Sequence, residues 1–321
     1  MKSRRAMLVE PGKLELQEVH VDIAADELLI QVEACGLCTW ELNHFHGRLG
    51  HNPQPLGHEW SGRVIGLGQD TQGFKEGDLV TGLPNSLTGF SDYMAVKAAN
   101  SFIVAPHVSP EHALGEPLKC IVTVLRGAAP EAGDYGVVMG AGPMGLWAVQ
   151  ALAGKLLGGL IVIDIDDRKL ALASKFGATH TINAKVHHAE EIVREVTGGH
   201  MADFVIEGTG STAVINSCIG LLKAGRGRLI LMSAYKSAGS IDMEAVISKS
   251  IEVRATHPGY SVNEQDDQRR AVILLNNGVF AMEEIISHRF ALDEIQLAFD
   301  SLDQRPDGYL KGIVVPGGGR L

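Results

Sequence analysis

The stretch EACGLCTWELNHF, from Glu33 to Phe45, sets Cys35 and Cys38 three apart and follows them with His44, six positions after the second cysteine. Thiolates and imidazoles serve as metal ligands, nucleophiles and redox partners, so this spacing fits a redox pair, a zinc knuckle or half of a catalytic metal site. Further along, GHEWSG places His58 beside Glu59. Cys38, His58 and Glu59 together offer a thiolate, an imidazole and a carboxylate. A catalytic zinc takes three protein ligands of these types and leaves a position open for substrate. In GEPLKC, Pro117 suits the first turn of a helix, and Glu116 and Cys120 stand four apart, so either could face the ion. A redox C-x-x-C sits at a helix start in a thioredoxin-like unit, whereas this pair lies in β-rich sequence. Cys35 reads as a small buried residue, Cys218 as core, and His187 and His188 as surface residues.

A second group of residues points to a nucleotide. VVMGAGPMG carries Gly140, Gly142 and Gly145 in G-x-G-x-x-G order, after an apolar strand and before an amphipathic helix. The next strand, LIVID, ends in Asp164, 19 positions beyond Gly145. Gly140 would permit the tight turn, Gly142 would let the backbone approach a pyrophosphate, and Gly145 would let the helix pack closely. Amides near Pro143 and Met144, at the helix N-terminus, would face the phosphates. Asp164 can accept hydrogen bonds from a ribose diol and would repel a 2′-phosphate, which favours NAD. Lys169 joins this candidate cofactor site, and with Arg168 it keeps NADP in play.

The elements that must position these groups fall into three sections. From Met1 to about Cys120, short strand-like runs such as ELLIQVEACG, SGRVIGLG and FSDYMAV alternate with Gly, Pro, Asn and Asp turns, as in antiparallel β-structure. From about Ile121 to His257, apolar runs alternate with helical stretches, the pattern of a parallel sheet covered on both faces. After Pro258 come helix-like QRRAVILLNNG and ALDEIQLAFDSL and a terminal strand, KGIVVP. The expected division is therefore residues 1–120 with 258–321, and residues 121–257.

The chain has 321 residues, 45% of them hydrophobic, enough for two cores. A formal charge of −10 and the absence of any Lys/Arg-rich run exclude nucleic acid as an expected partner. The basic opening lacks an apolar signal region, and no run of about 18 apolar residues could span a bilayer, so a cytoplasmic location is expected. Four irregularly placed cysteines do not make a secreted disulfide framework.

Taken in order and spacing, ACGLC, GHEWSG, EPLKC, VVMGAGPMG with VIDID, and the late SHRFALDEIQLAFDSL with KGIVV resemble the zinc-dependent medium-chain dehydrogenase/reductase family along almost the whole chain. The resemblance implies an α/β protein: a GroES-like, mostly antiparallel β catalytic domain and a doubly wound parallel-sheet Rossmann domain. It implies one catalytic zinc bound by Cys38 and His58, with Glu59 a ligand or the acid just behind. Glu116, as in polyol dehydrogenases, is preferred to Cys120 as the further ligand. The four-cysteine lobe that holds a structural zinc in many members is missing, since TGLPNSLTGFSDY has no cysteine. Members reading GxCGSDxH begin a proton relay with Ser or Thr and extend it with His, where this chain has Trp40 and Asn43. Indole offers only an N–H donor. The alcohol proton would then leave through water, Glu59 or His44, with a merely exposed histidine the alternative for His44. The implied reaction passes a hydride between a secondary alcohol, such as a polyol, sugar alcohol or cyclitol, and NAD, with zinc as Lewis acid. Relatives are dimers or tetramers, so a homo-oligomer with a small-molecule alcohol or ketone substrate is expected. A zinc-free NADPH-dependent quinone or enone reductase of the same superfamily, and a non-catalytic nucleotide-binding protein, remain as alternatives.

Overall fold

The computed structural model describes residues 1–84, 86–235 and 237–317, so the last four residues of the expected C-terminal section lie outside the described residues. In chain order its strands are β1 (Lys2–Glu10), β2 (Lys13–His20), β3 (Glu27–Gly36), β4 (Gln54–Pro55), β5 (Glu59–Leu67), β6 (Leu79–Gly82), β7 (Tyr93–Lys97), β8 (Ser101–Ile103), β9 (Tyr135–Met139), β10 (Gly159–Asp164), β11 (His180–Asn183), β12 (Phe204–Glu207), β13 (Arg228–Leu231), β14 (Glu252–Ala255), β15 (Ile286–Ala291) and β16 (Lys311–Val315). The chain divides into two compact units, Met1–Lys119 with the chain from Glu264 onward, and Cys120–Asn263.

The first unit is mostly antiparallel. Its larger sheet runs β15-β16-β3-β5-β6-β8, with β7 also on β3, and only the β15–β16 pair is parallel among these. Alternation along β3 turns Leu28, Ile30 and Val32 into a core with Leu8, Trp60, Phe90 and Phe299. Register makes the site. Gly36 pairs with Glu59 and Cys35 with Trp60 across β3 and β5, while Ile313 and Val314 of β16 pair with the same Gly36 and Cys35. The end of β3, the start of β5 and the start of β16 therefore meet, bringing residues far apart in sequence to one place.

The second unit holds a six-stranded parallel sheet in the order β11-β10-β9-β12-β13-β14. Val137, Ile161, Val205 and Leu229 are wholly buried at its centre, as strands covered on both faces require. The chain steps outward from β9 to β11 and then returns to β12, so strand order reverses between β9 and β12. Ligands of such sheets bind outside the carboxyl ends at this reversal. The fold is thus an antiparallel-rich GroES-like sheet with a Rossmann-type parallel sheet. Strands β1, β2, β4, β8, β11, β14 and β15 add to the runs named as strands from sequence.

Candidate functional site: a buried metal centre and a glycine-rich loop

In the first unit, Cys38, His58 and Glu59 each present a ligand atom, all within 4.8 Å of one another. Cys38 sits where β3 has ended and a short 3-10 turn, Thr39–Glu41, begins. His58 and Glu59 open β5 and are buried. Gly36 has to be glycine here, because a Cβ would lie 2.0 Å from Glu59 Oε2. Glu59 thus lies across a strand that presents no side chain at that point.

Three residues that sequence reasoning passed over complete the surroundings. Glu41, wholly buried, accepts from the Gly57 amide at 2.7 Å and sits 3.1 Å from His58 Nδ1. With Nδ1 so occupied, Nε2 is the nitrogen left for an ion. Its placement three residues after Cys38, one helical turn on, was the available signal. Lys311, at the start of β16, donates to Glu59 Oε2 at 2.5 Å and to the Leu37 carbonyl at 3.0 Å. Lys119, 2% exposed, lies 3.2 Å from Glu116 Oε1 and 3.1 Å from Glu264 Oε2.

Glu116 itself reaches to 4.0 Å from His58 Nε2 but is not among the three groups that cluster within 4.8 Å; Lys119, one turn along the same helix, draws on its carboxylate. Cys120, half-buried, follows Lys119 and belongs to the second unit. His44 is buried, so the reading of an exposed histidine is corrected: packing against the Trp40 ring, with centroids 4.7 Å apart, covers it. Trp40 also stands edge-on to His58 at 5.3 Å, forming an aromatic wall. Cys35 and Cys218 are wholly buried, and His187 and His188 are exposed.

Charge decides what the cluster fits. Buried Glu41, Glu59 and Glu116, with a Cys38 thiolate, would carry four negative charges against the ammonium groups of Lys119 and Lys311. Carboxylates and a thiolate gathered so closely are costly to bury, and a divalent cation among them lowers that cost. Without a cation, protons do this work. Burial and the Glu59 charge push the Cys38 thiol up despite the pull of His58. Burial opposes a charged His58, yet Glu41 and the Cys38 sulfur outweigh it and lift the imidazole well above its ordinary range. The donor set and its charge therefore fit a zinc ion.

The second unit carries the glycine-rich loop at the end of β9. Gly140 adopts φ +101°, a left-handed conformation suited to glycine. At Gly145 a Cβ would lie 1.9 Å from the Gly140 carbonyl, so the helix Pro143–Leu152 can approach only without a side chain there. Gly142, the helix N-cap, has open space beyond its Cα, with no atom within 4 Å of a built Cβ. That cradle and the first-turn N–H groups of Met144 and Gly145, beside a Pro143 that carries none, fit a pyrophosphate. Asp164, ending β10, accepts from the amides of Ala141 at 2.6 Å, Ile165 at 2.7 Å and Asp166 at 3.0 Å. Lys169 lies in the first turn of the next helix, Asp167–Lys175. At the end of β12, buried Glu207 accepts from Thr209, Gly210 and the Tyr235 hydroxyl, closing the neighbouring loop.

Residues 24–107 match the alcohol dehydrogenase GroES-like domain model, and residues 143–275 the zinc-binding dehydrogenase model. An erythritol/L-threitol dehydrogenase of Mycolicibacterium smegmatis is 30% identical over 90% of this chain and 91% of its own length. A sorbitol dehydrogenase of Bacillus subtilis is 25% identical over 98% of this chain and 97% of its own length. Among solved structures, a Sinorhizobium meliloti protein named as a zinc-binding dehydrogenase and bound to NADP superposes with a TM-score of 0.87, at 25% identity, over 98% of this chain and 100% of that one. Both units and nearly the whole length thus agree: the chain belongs to the zinc-type medium-chain dehydrogenase family and is an oxidoreductase.

Proposed function

We propose that the protein interconverts a secondary alcohol and its ketone, the alcohol being a polyol, sugar alcohol or cyclitol, with one catalytic zinc and NAD. The observation that carries this reading is the convergence of half-buried Cys38 with buried His58 and Glu59, ligand types suited to zinc, within 4.8 Å of one another. The relatives named above, which act by name on erythritol, threitol and sorbitol, support the substrate class. Zinc, when bound, supplies a Lewis acid for the substrate hydroxyl.

The chain's own residues do the rest. Cys38 and His58 hold the ion, Glu59 serves as ligand or as the acid behind it, and Glu116 stands by for the further position. Lys311 donates to Glu59 and fixes its carboxylate in place, and Glu41 aims His58. His44 and Glu59 are the acceptors for the alcohol proton. Gly140, Gly142, Pro143, Met144 and Gly145 seat the pyrophosphate, and Asp164 with Lys169 holds the adenosine ribose. Asp164 favours NAD, since a 2′-phosphate would meet its carboxylate. A homo-oligomer in the cytoplasm completes the proposal; the described residues contain no helix long and apolar enough to cross a membrane.

The test is spectrophotometric reduction of NAD and of NADP against a panel of polyols, on protein whose metal content is measured before and after chelation. Zinc-dependent turnover with NAD is expected. Chelator-resistant reduction of quinones or enones by NADPH, or NADH binding without turnover of any alcohol, overturns the proposal.

A further inference from the structure

We infer that Gln54 holds His44 in the tautomer protonated on Nδ1, so that Nε2 presents a buried lone pair to a hydroxyl of the substrate; this deepens, and rests on, the alcohol reading above. His44 is 7% exposed, and its Nε2 has no hydrogen-bond partner among the described residues. Buried polar nitrogens without partners are rare in folded proteins and ask for an explanation.

The tautomer follows from the groups around Gln54. Its amide nitrogen lies 3.1 Å from Asn52 Oδ1 and 3.5 Å from the Leu49 carbonyl, and a carbonyl can only accept. The amide oxygen is thereby the atom facing His44 Nδ1, at 3.0 Å, and Nδ1 must donate. A neutral imidazole that donates from Nδ1 has a bare Nε2. Gly50 seals the arrangement: its backbone, at φ +76°, passes so close that a Cβ would lie 2.2 Å from Gln54 Oε1. The half-buried amide therefore lies against its own loop on that side.

The location indicates what the lone pair meets. Trp40 is edge-on both to His44 and to His58, so His44 stands one indole ring from the candidate metal ligand. A buried acceptor in that place needs a donor, and hydroxyl is the donor that an alcohol or polyol brings. Gln54 is then a positioning residue and His44 the group that touches substrate.

Protein with 15N-labelled histidine, studied by long-range 1H–15N correlation without added metal, reports the tautomer directly. Nδ1–H with bare Nε2 is expected for His44. Gln54→Leu should lose that signature, and Gln54→Glu, whose carboxylate still accepts from Nδ1, should keep it. With zinc and NAD, His44→Gln and Gln54→Leu should each lower kcat/KM for polyols roughly tenfold, the loss of one hydrogen bond, with Gln54→Glu restoring part of it. NADH binding and the thermal midpoint serve as controls for folding. An Nε2–H tautomer in the parent protein, or a signature indifferent to Gln54→Leu, overturns the inference. A correct tautomer response in a protein that oxidises no alcohol would uphold the lock, and would sink both the hydroxyl assignment and the alcohol reading.

Discussion

The Lys311 ammonium lies 2.5 Å from Glu59 Oε2, a fully buried ion pair between the last described strand and the first residue of β5. Burial opposes the lysine's charge, but Glu59 and the Cys38 sulfur raise its pKa above the ordinary lysine range. Lys311→Met leaves Glu59 without its cation. Removing one member of a buried pair costs about 3–5 kcal/mol, so urea unfolding of the variant without added metal should show a loss of that order. A change below about 1 kcal/mol would mean that the pair does not hold the site together.

Cys38→Ser replaces a thiolate by a hydroxyl that stays protonated and binds zinc poorly. The variant should lose its zinc by elemental analysis and its turnover, while the NADH affinity of the glycine-rich loop changes little. Retained zinc at full occupancy would remove Cys38 from the ligand set.

Metal uptake should be strongly pH-dependent. At neutral pH Cys38 keeps its proton and His58 carries an extra one, since both pKa values are raised. Both protons must leave before sulfur and Nε2 can bind an ion, so zinc binding at pH 7 should release about two protons and tighten as pH rises. Calorimetry in buffers of different ionisation enthalpy counts them. A release of none would contradict the charge balance of the site.

Two glycines separate fold from cofactor. Gly145→Ala forces a methyl to 1.9 Å from the Gly140 carbonyl, so it should lower thermal stability as well as NADH binding. Gly142→Ala meets no protein atom within 4 Å and should leave the melting temperature unchanged within error, yet weaken NADH binding tenfold or more by filling the pyrophosphate cradle. Equal affinity for parent and Gly142→Ala would place the phosphates elsewhere.

Burial pushes the Tyr309 phenol up to about 12, against an unfolded value of about 10. The unfolded chain therefore releases this proton first. The stabilising contribution is complete below pH 10 and is lost as pH climbs toward 12. Because the hydroxyl is buried without a hydrogen-bond partner among the described residues, Tyr309→Phe should cost less than about 0.5 kcal/mol at pH 7 and should flatten the alkaline decline. Denaturant titrations at pH 7 and above pH 10 measure both.

Local chemistry and local pattern were readable in the chain; distant pairing was not. Cys38, His58 and Glu59 stand out because their types are suited to zinc and their neighbours recur in a known order. The glycines of 140–145 stand out because loop, helix and following strand all agree. Lys311 does not, since a lysine opening an apolar strand looks like a solvent-facing end until β16 is laid beside β3. Lys119 likewise reads as an exposed helical residue, and only the fold shows it buried between Glu116 and Glu264. Strands β11 and β14 are four residues each at the two edges of their sheet, and their polar, half-exposed side chains hide the period of the strand.

Because β15 and β16 belong to the same sheet as β3, that sheet gains two strands and its buried counter-ion only from the end of the chain. A ribosome making this protein finishes the entire parallel-sheet unit before it reaches either strand. Through that interval the nascent N-terminal segment holds an open flank at Cys35 and Gly36 and an uncompensated Glu59. Early metal capture by Cys38 and His58, or shelter by a chaperone, is what would protect it until synthesis ends.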